Sequence, residues 1–455
     1  MKILSSSTFL MSLLATLMLG ACDTTNDTMM DVSRDCIVSR VTVGTLNRTL
    51  QTVSSTGADS TYQVTVNGAM YPMFIDQLNN RIYNADSLPV GTDVTKVVFA
   101  DFNVSGTASI KSLYTGKDTI FTAKDSTDFS QPRTLTVHSA DGSLTREYQI
   151  EIRVHREEAD SFVWQKMNAT PVSPLTQFTQ SHAVTANEKI YVYGNTGNGN
   201  SQCLEIDPKA PVFDQLTATN LPLDIRSVQY FQNTFYALSQ GELVRSTDAA
   251  NQWTQADVTQ HFDALAGHST DSLYAVSGQQ LWASANGTDW TLSTLDTPNA
   301  LPEVFSTTCV PSPLNSYAET LVMVGTKQGA PVAWKRDIDL RGDFTYPWMF
   351  IPQTEELGKY SCPLLQQPTL LTYDHAALLF GLTTEGKPAP FYISRDYGRT
   401  WKPWSWRAPQ IPGATTLCAT VDADHYLWIF CSGTGEVLKG RLNRLGWNEE
   451  EDRFE

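Results

Sequence analysis

Ser394-Arg395-Asp396-Tyr397-Gly398-Arg399-Thr400-Trp401 reads as a turn with an anchor. Asp and Gly suit a tight reversal, and the Trp supplies a large apolar ring that can pin the turn to a sheet. Two degenerate copies lie upstream. Ser284-Ala-Asn286-Gly-Thr288-Asp-Trp290 is shortened and carries an amide for the carboxylate, while Ser246-Thr-Asp248-Ala-Ala-Asn-Gln-Trp253 keeps Ser, Asp and Trp. Working outward, six apolar runs can be laid over one another: Ile190-Tyr-Val-Tyr193, Phe235-Tyr-Ala-Leu238, Leu273-Tyr-Ala-Val276, Leu321-Val-Met-Val324, Ala377-Leu-Leu-Phe380 and Leu427-Trp-Ile-Phe430. They begin at intervals of 38 to 56 residues. Four-stranded blades that each bury both faces against neighbours produce such a period, so residues 162–455 read as a β-propeller.

The complete octapeptide resembles the Asp-box of sialidase-like propellers, including the bacterial neuraminidase repeat. The resemblance implies a structural role at the blade periphery, between third and fourth strands, for Ser394, Asp396, Gly398, Thr400 and Trp401, and for Ser284, Asn286, Trp290, Ser246, Asp248 and Trp253. Trp348 and Trp447 hold similar places after the fourth and sixth runs, where the box itself has eroded. Leu221-Pro222, Leu301-Pro302 and Ile411-Pro412 each precede a new inner strand, as proline does at strand starts. Six blades satisfy all three signals. Five follow if the long interval between Leu321 and Phe380 is misread, and seven if it hides a blade; a β-helix or large sandwich is the structural alternative. Phe162-Val-Trp164-Gln-Lys-Met167 is the N-terminal segment expected to close the ring.

Upstream, the region from Cys36 to Arg156 alternates in short segments: Thr61 to Val66, Lys96 to Ala100, Arg133 to Val137 and Tyr148 to Val154. Ala140-Asp141-Gly142 between the last two is a hairpin signal, and no stretch of comparable length has a helical period. An immunoglobulin-like β-sandwich over 36–156 is the natural container, which makes the chain all-β. Asn84 to Thr95 and Asp128-Phe-Ser-Gln-Pro132 resemble the β-sandwich modules near the N-termini of Bacteroidota surface lipoproteins, which are usually spacers. The whole chain resembles Bacteroidota lipoproteins that join such a module to an Asp-box propeller, a likeness that implies no particular reaction.

The N-terminus fits that likeness. Lys2, the apolar stretch from Phe9 to Leu19 and Leu19-Gly20-Ala21-Cys22 resemble a lipoprotein signal peptide over 1–21 with its lipobox, which makes Cys22 the expected lipidation site. Residues 22–35 read as a tether, polar from Asp23 to Asp31. The chain is therefore expected in the cell envelope, held by acylated Cys22, with the outer membrane preferred and its face undecided. It is expected to be a monomer or part of an envelope complex.

The 32 basic and 48 acidic residues give a formal net charge of −16 without a basic run, which argues against nucleic acid as a partner. Beyond Cys22, six scattered cysteines include no CxxC pair and suggest no zinc site. Cys418 and Cys431 alone could share a hairpin, across Asp422 to His425, either as a disulfide or as two buried thiols. Zincin, nucleophile-elbow, phosphate-loop and dinucleotide motifs are all missing, as is the Arg-Ile-Pro of sialidases, and none of the arginines, Arg226 among them, has a motif placing it in a carboxylate-binding triad. No cofactor, metal or catalytic set is expected; Asp224, Glu303 and Asp374 are no more than unpaired candidates. The expectation is a binding protein whose propeller takes a glycan or a surface protein, with Tyr230, Phe231, Tyr346, Trp348, Trp404 and Trp406 as aromatic candidates for the ligand face. The alternative is a divergent glycoside hydrolase or lyase acting on polysaccharide.

Overall fold

A computed structural model describes residues 33–53, 57–248, 252–404 and 413–447. The signal segment, Cys22, the tether up to residue 32, Ile411-Pro412, Trp406 and positions 249–251 of the third box copy lie outside the described residues. The chain divides into two compact units, with the division between Glu158 and Ala159.

In the first unit, a six-stranded sheet runs in the order Met73–Asp76, Arg81–Asn84, Thr145–Glu151, Arg133–His138, Thr107–Lys111, Asp118–Ile120. A second layer pairs Val38–Val43 with Phe99–Val104, and a long hairpin joins Thr45–Val53 to Asp59–Asn67. Inward residues of both layers, among them Val38, Val43, Phe99, Leu135, Tyr148 and Ile150, form one core. The expected hairpin is present: Thr145 faces His138, and Gly142 takes φ 72° in the turn. Asp141 accepts from Ser139 Oγ and from the Ser143 backbone and hydroxyl, which hold its carboxyl at about 2. Two details differ from the sequence reading. Arg81–Asn84 pairs in parallel with Thr145–Glu151, and the strand expected at Lys96 begins at Phe99, because Val97 bridges Thr127 instead.

The second unit is a six-bladed propeller. Its four-stranded sheets span Phe178–Ala218, Asp224–Gln255, Ala264–Ser293, Val304–Ile351, Thr369–Pro403, and Thr416–Leu442 completed by Phe162–Lys166. All six apolar runs are second strands of their blades. They alternate between the two faces of a blade and are almost wholly buried; Leu427 to Phe430, for example, sends Leu427 and Ile429 to one interface and Trp428 and Phe430 to the other. Phe162–Lys166 closes the ring as the outer strand of blade six, with Phe162 opposite Leu442 and Lys166 opposite Leu438. The long fourth interval hides no blade. It is filled by ten-residue strands, Ala318–Lys327 and Ala330–Asp339, and by the 3-10 segment Glu355–Tyr360.

The turn motifs lie between third and fourth strands in blades two, three and five. In the complete copy Ser394 Oγ donates to Asp396 Oδ1 (2.9 Å) and accepts from Gly398 N (2.8 Å), Thr400 binds Asp396 through both N and Oγ1, and Trp401 Nε1 donates to Gly398 O (3.2 Å). Gly398 (φ 88°) lies against the preceding blade so closely that a Cβ there would sit 2.9 Å from Val322. Gly287 repeats this against the Tyr236 ring. In blades three and five the box thus clips the blade to the one before it. Trp253, Trp348 and Trp401 are fully buried between blades one and two, three and four, and four and five, while Trp290, between blades two and three, is half-buried against Phe262. Trp447 has a different place: it follows the 3-10 turn Asn443–Gly446, because blade six takes its fourth strand from the N-terminal side and so has no turn there to anchor. Cys418 and Cys431 are free, buried thiols. Leu417, not Cys418, faces Cys431, so the two side chains enter opposite blade interfaces.

Candidate functional site

The six inner strands surround a cavity of about 340 Å³ to which every blade contributes. Three inner strands, those of blades one, two and three, break register with their neighbours, between Phe178 and Gln180, Asp224 and Gln229, and Leu265 and His268. The inner strands of blades four to six pair continuously. A bulge re-aims a side chain, and the bulged half of the ring supplies the cavity's basic residues, His182, Arg226 and His268. In blade two the ladder gap is filled by Ser227, whose Oγ donates to Asp224 O (2.6 Å) and accepts from Leu238 N (2.7 Å).

Arg226 extends across the ring. Its Nη2 approaches Phe305 O of blade four at 3.5 Å and Pro368 O of the opposite blade five at 3.3 Å. Burial pulls the guanidinium down from its ordinary value and the Asp224 carboxylate works against that. Burial also raises the Asp224 carboxyl, against a hydrogen bond from Arg226 N and the Arg226 charge. His182 is pushed down to about 4 by burial and then by Arg226, against a hydrogen bond to the Val228 backbone, and its imidazole is neutral at neutral pH. His268 is lowered by burial as well. Hydroxyls and amides of the wall bridge adjacent blades, Thr185 with Thr420 (2.7 Å), Thr308 with Thr372 (2.9 Å) and Thr416 with Gln367 (2.9 Å), among apolar wall residues such as Ala183, Val184, Leu265 and Leu371.

Of the described aromatic candidates, Tyr230 alone borders this cavity, its hydroxyl donating to Asn187 Oδ1 at 2.7 Å. Phe231 and Trp348 are buried in blade interfaces, where no ligand reaches them. Trp404 packs on Phe162, Tyr373 and Phe391. Tyr346 is 41% exposed, but on the outer part of blade four beside Phe344. The structure does not gather the five described candidates into one face. Nor does it gather the acidic candidates. Asp374 lies in the turn after the inner strand of blade five, buried between Arg395 and Arg444 at 2.6 and 2.5 Å, whereas Asp224 and Glu303 lie at the starts of inner strands, and none of the three lines the cavity. His261 pairs with Glu242, away from His268, and no group of metal-binding residues occurs among the described residues. Sequence reasoning missed His182 and His268 as lining residues and saw in Arg226 an arginine without a motif. Arg226 and His268 sit at register irregularities, which have no short motif, whereas His182 lies in a continuous ladder.

A β-sandwich unit followed by a six-bladed Asp-box propeller with a polar central cavity defines the class. Family models match both units, an N-terminal domain of unknown function over residues 41–152 and the DUF6242 beta propeller domain over 158–450, and the chain belongs to the DUF6242 family. No curated protein matches it. Solved structures similar to it include a family AA12 carbohydrate-active enzyme of Trichoderma reesei (12% identity, 62% of this chain and 96% of that one, TM-score 0.41). The Hadza microbial sialidase Hz136 (10%, 90% and 91%, TM-score 0.39) and a mutant of AofleA from Arthrobotrys oligospora (11%, 60% and 84%, TM-score 0.37) are others. Matches this loose assign no residue a role.

Proposed function

We propose that this chain is a lipid-anchored binding protein of the cell envelope, seated on the outer membrane, whose propeller takes a sugar unit of a glycan in its central cavity. The observation that carries the reading is the cavity itself. It has a polar wall drawn from all six blades and a volume of about 340 Å³, which lies in the range of small-ligand sites and is too small for a folded protein surface. Hydrolysis of a glycoside generally needs two carboxyl groups about 5 to 9 Å apart, and no Asp or Glu is among the described residues of the wall. That favours binding over the hydrolase reading.

The test is a glycan array together with pull-down from envelope extract, using the full chain; no specific retention in either sinks the reading. The anchor is tested separately. Cys22→Ser in the native host is expected to abolish labelling by a fatty-acid probe and to release the protein from the membrane fraction, whereas unchanged labelling and fractionation would remove the anchor from the reading.

A further inference from the structure

We propose that the cavity selects an acidic sugar, whose carboxylate is held by the guanidinium of Arg226. This rests on the reading of the cavity as a glycan site and adds the chemical class of the ligand.

Three observations carry it. Arg226 is aimed into the cavity by a built feature, the bulge that Ser227 pins from both sides. Among the described residues no carboxylate lies within 4.0 Å of its guanidinium, and Nη2 alone makes protein contacts, both to carbonyls and both long, at 3.3 and 3.5 Å. A guanidinium has five N–H donors in a planar fork that fits a carboxylate bidentately; here Nε and Nη1 donate to no described protein atom. The guanidinium is half-buried at the cavity wall and has donors to spare for a carboxylate. Finally, Arg226 is the one formal charge of the described wall at neutral pH, since the imidazoles of His182 and His268 are depressed and no acid joins them. The positive centre is local, in a chain whose formal net charge is −16.

The neutral His182 beside Arg226 and the hydroxyls of the opposite half-ring suit the rest of a sugar, which needs donors and acceptors without charge. A carboxylate arriving at Arg226 competes with carbonyls that hold it loosely, so the guanidinium can turn from them without leaving a strong bond unmade.

The test is an array that pairs each acidic sugar with its carboxyl-reduced neutral twin, read with the full chain and with Arg226→Gln. A charge-assisted fork predicts about tenfold or greater preference for the acidic member, lost in R226Q. Equal retention of both twins overturns the acidic selection and leaves the glycan reading standing; retention of neither overturns both. A second measurement needs no variant. Phenylglyoxal labelling of Arg226 in the native protein, read by peptide mass, is expected to be slowed by glucuronate and not by glucose, with exposed Arg40 as an unprotected control. Equal labelling of Arg226 with both sugars counts against the proposal.

Discussion

Trp401 is sealed among Val310, Val322 and Ala333 of blade four and Leu370, Ala377 and Leu379 of its own blade, with its indole N–H spent on Gly398 O. Truncating a ring so enclosed leaves a cavity that the two blades cannot collapse into. Trp401→Ala is therefore expected to cost about 3 to 5 kcal/mol, while Trp447→Ala, on a half-buried side chain near the end of the described chain, costs less. Denaturant midpoints of the two variants give the comparison; equal and negligible losses would contradict it. Asp374 offers a second residue-scale test. Burial works to raise its carboxyl, but the hydrogen bonds and charges of Arg444 and Arg395 outweigh that, and the net shift is downward. A depressed folded value contributes stability that is present above the unfolded value of about 3.9 and lost as pH falls through the folded one. Asp374→Asn should therefore be less stable than the parent at pH 7, and the gap in denaturant midpoint should close in acid below about pH 4. A gap independent of pH would mean that the carboxylate charge is not what the two arginines hold.

At the scale of the element, the bulged inner strand of blade two joins fold to site. Ser227 is buried, and its hydroxyl occupies both ends of the broken ladder. Ser227→Ala leaves Leu238 N without its acceptor, which costs about 1 to 3 kcal/mol, and frees the segment that aims Arg226. Thermal unfolding checks the first effect, and the acidic preference on the paired array checks the second. The same strand shows why the site was harder to read than the fold. Apolar second strands such as Leu273 to Val276 are dictated by burial on both faces, so their composition repeats and can be aligned by eye. The box turn repeats because its Ser, Asp and Gly must meet fixed backbone donors. Arg226 obeys neither constraint: its direction depends on where pairing with Thr234–Ser239 slips, and nothing in Asp224-Ile-Arg-Ser-Val228 announces a slip. Trp348 misleads for a related reason, since it repeats the box anchor and belongs to the core, not to a face.

For the whole propeller, the decisive contact is between residues far apart in the chain. Phe162–Lys166 pairs along Leu438 to Leu442, and Lys166 Nζ reaches Glu436 Oε1 at 2.6 Å. This closure was readable from the order of apolar segments, though its side effect, the removal of the sixth box turn that stranded Trp447, was not. Replacing Phe162 to Lys166 by a Gly-Ser linker is expected to leave the outer edge of blade six unpaired, to lower the melting midpoint and to broaden the transition; an unchanged, sharp transition would show that the ring does not depend on its clasp. There is also a consequence for how the molecule comes into being. The clasp strand is the first part of the propeller to be synthesised, and its partner Glu436 lies 270 residues after Lys166. At roughly 5 to 20 residues per second, the wait is on the order of tens of seconds. Throughout it an amphipathic strand is without its partner, so the protein has to emerge either shielded or unfolded, and a nascent chain stalled before blade six would present a sticky edge at each end.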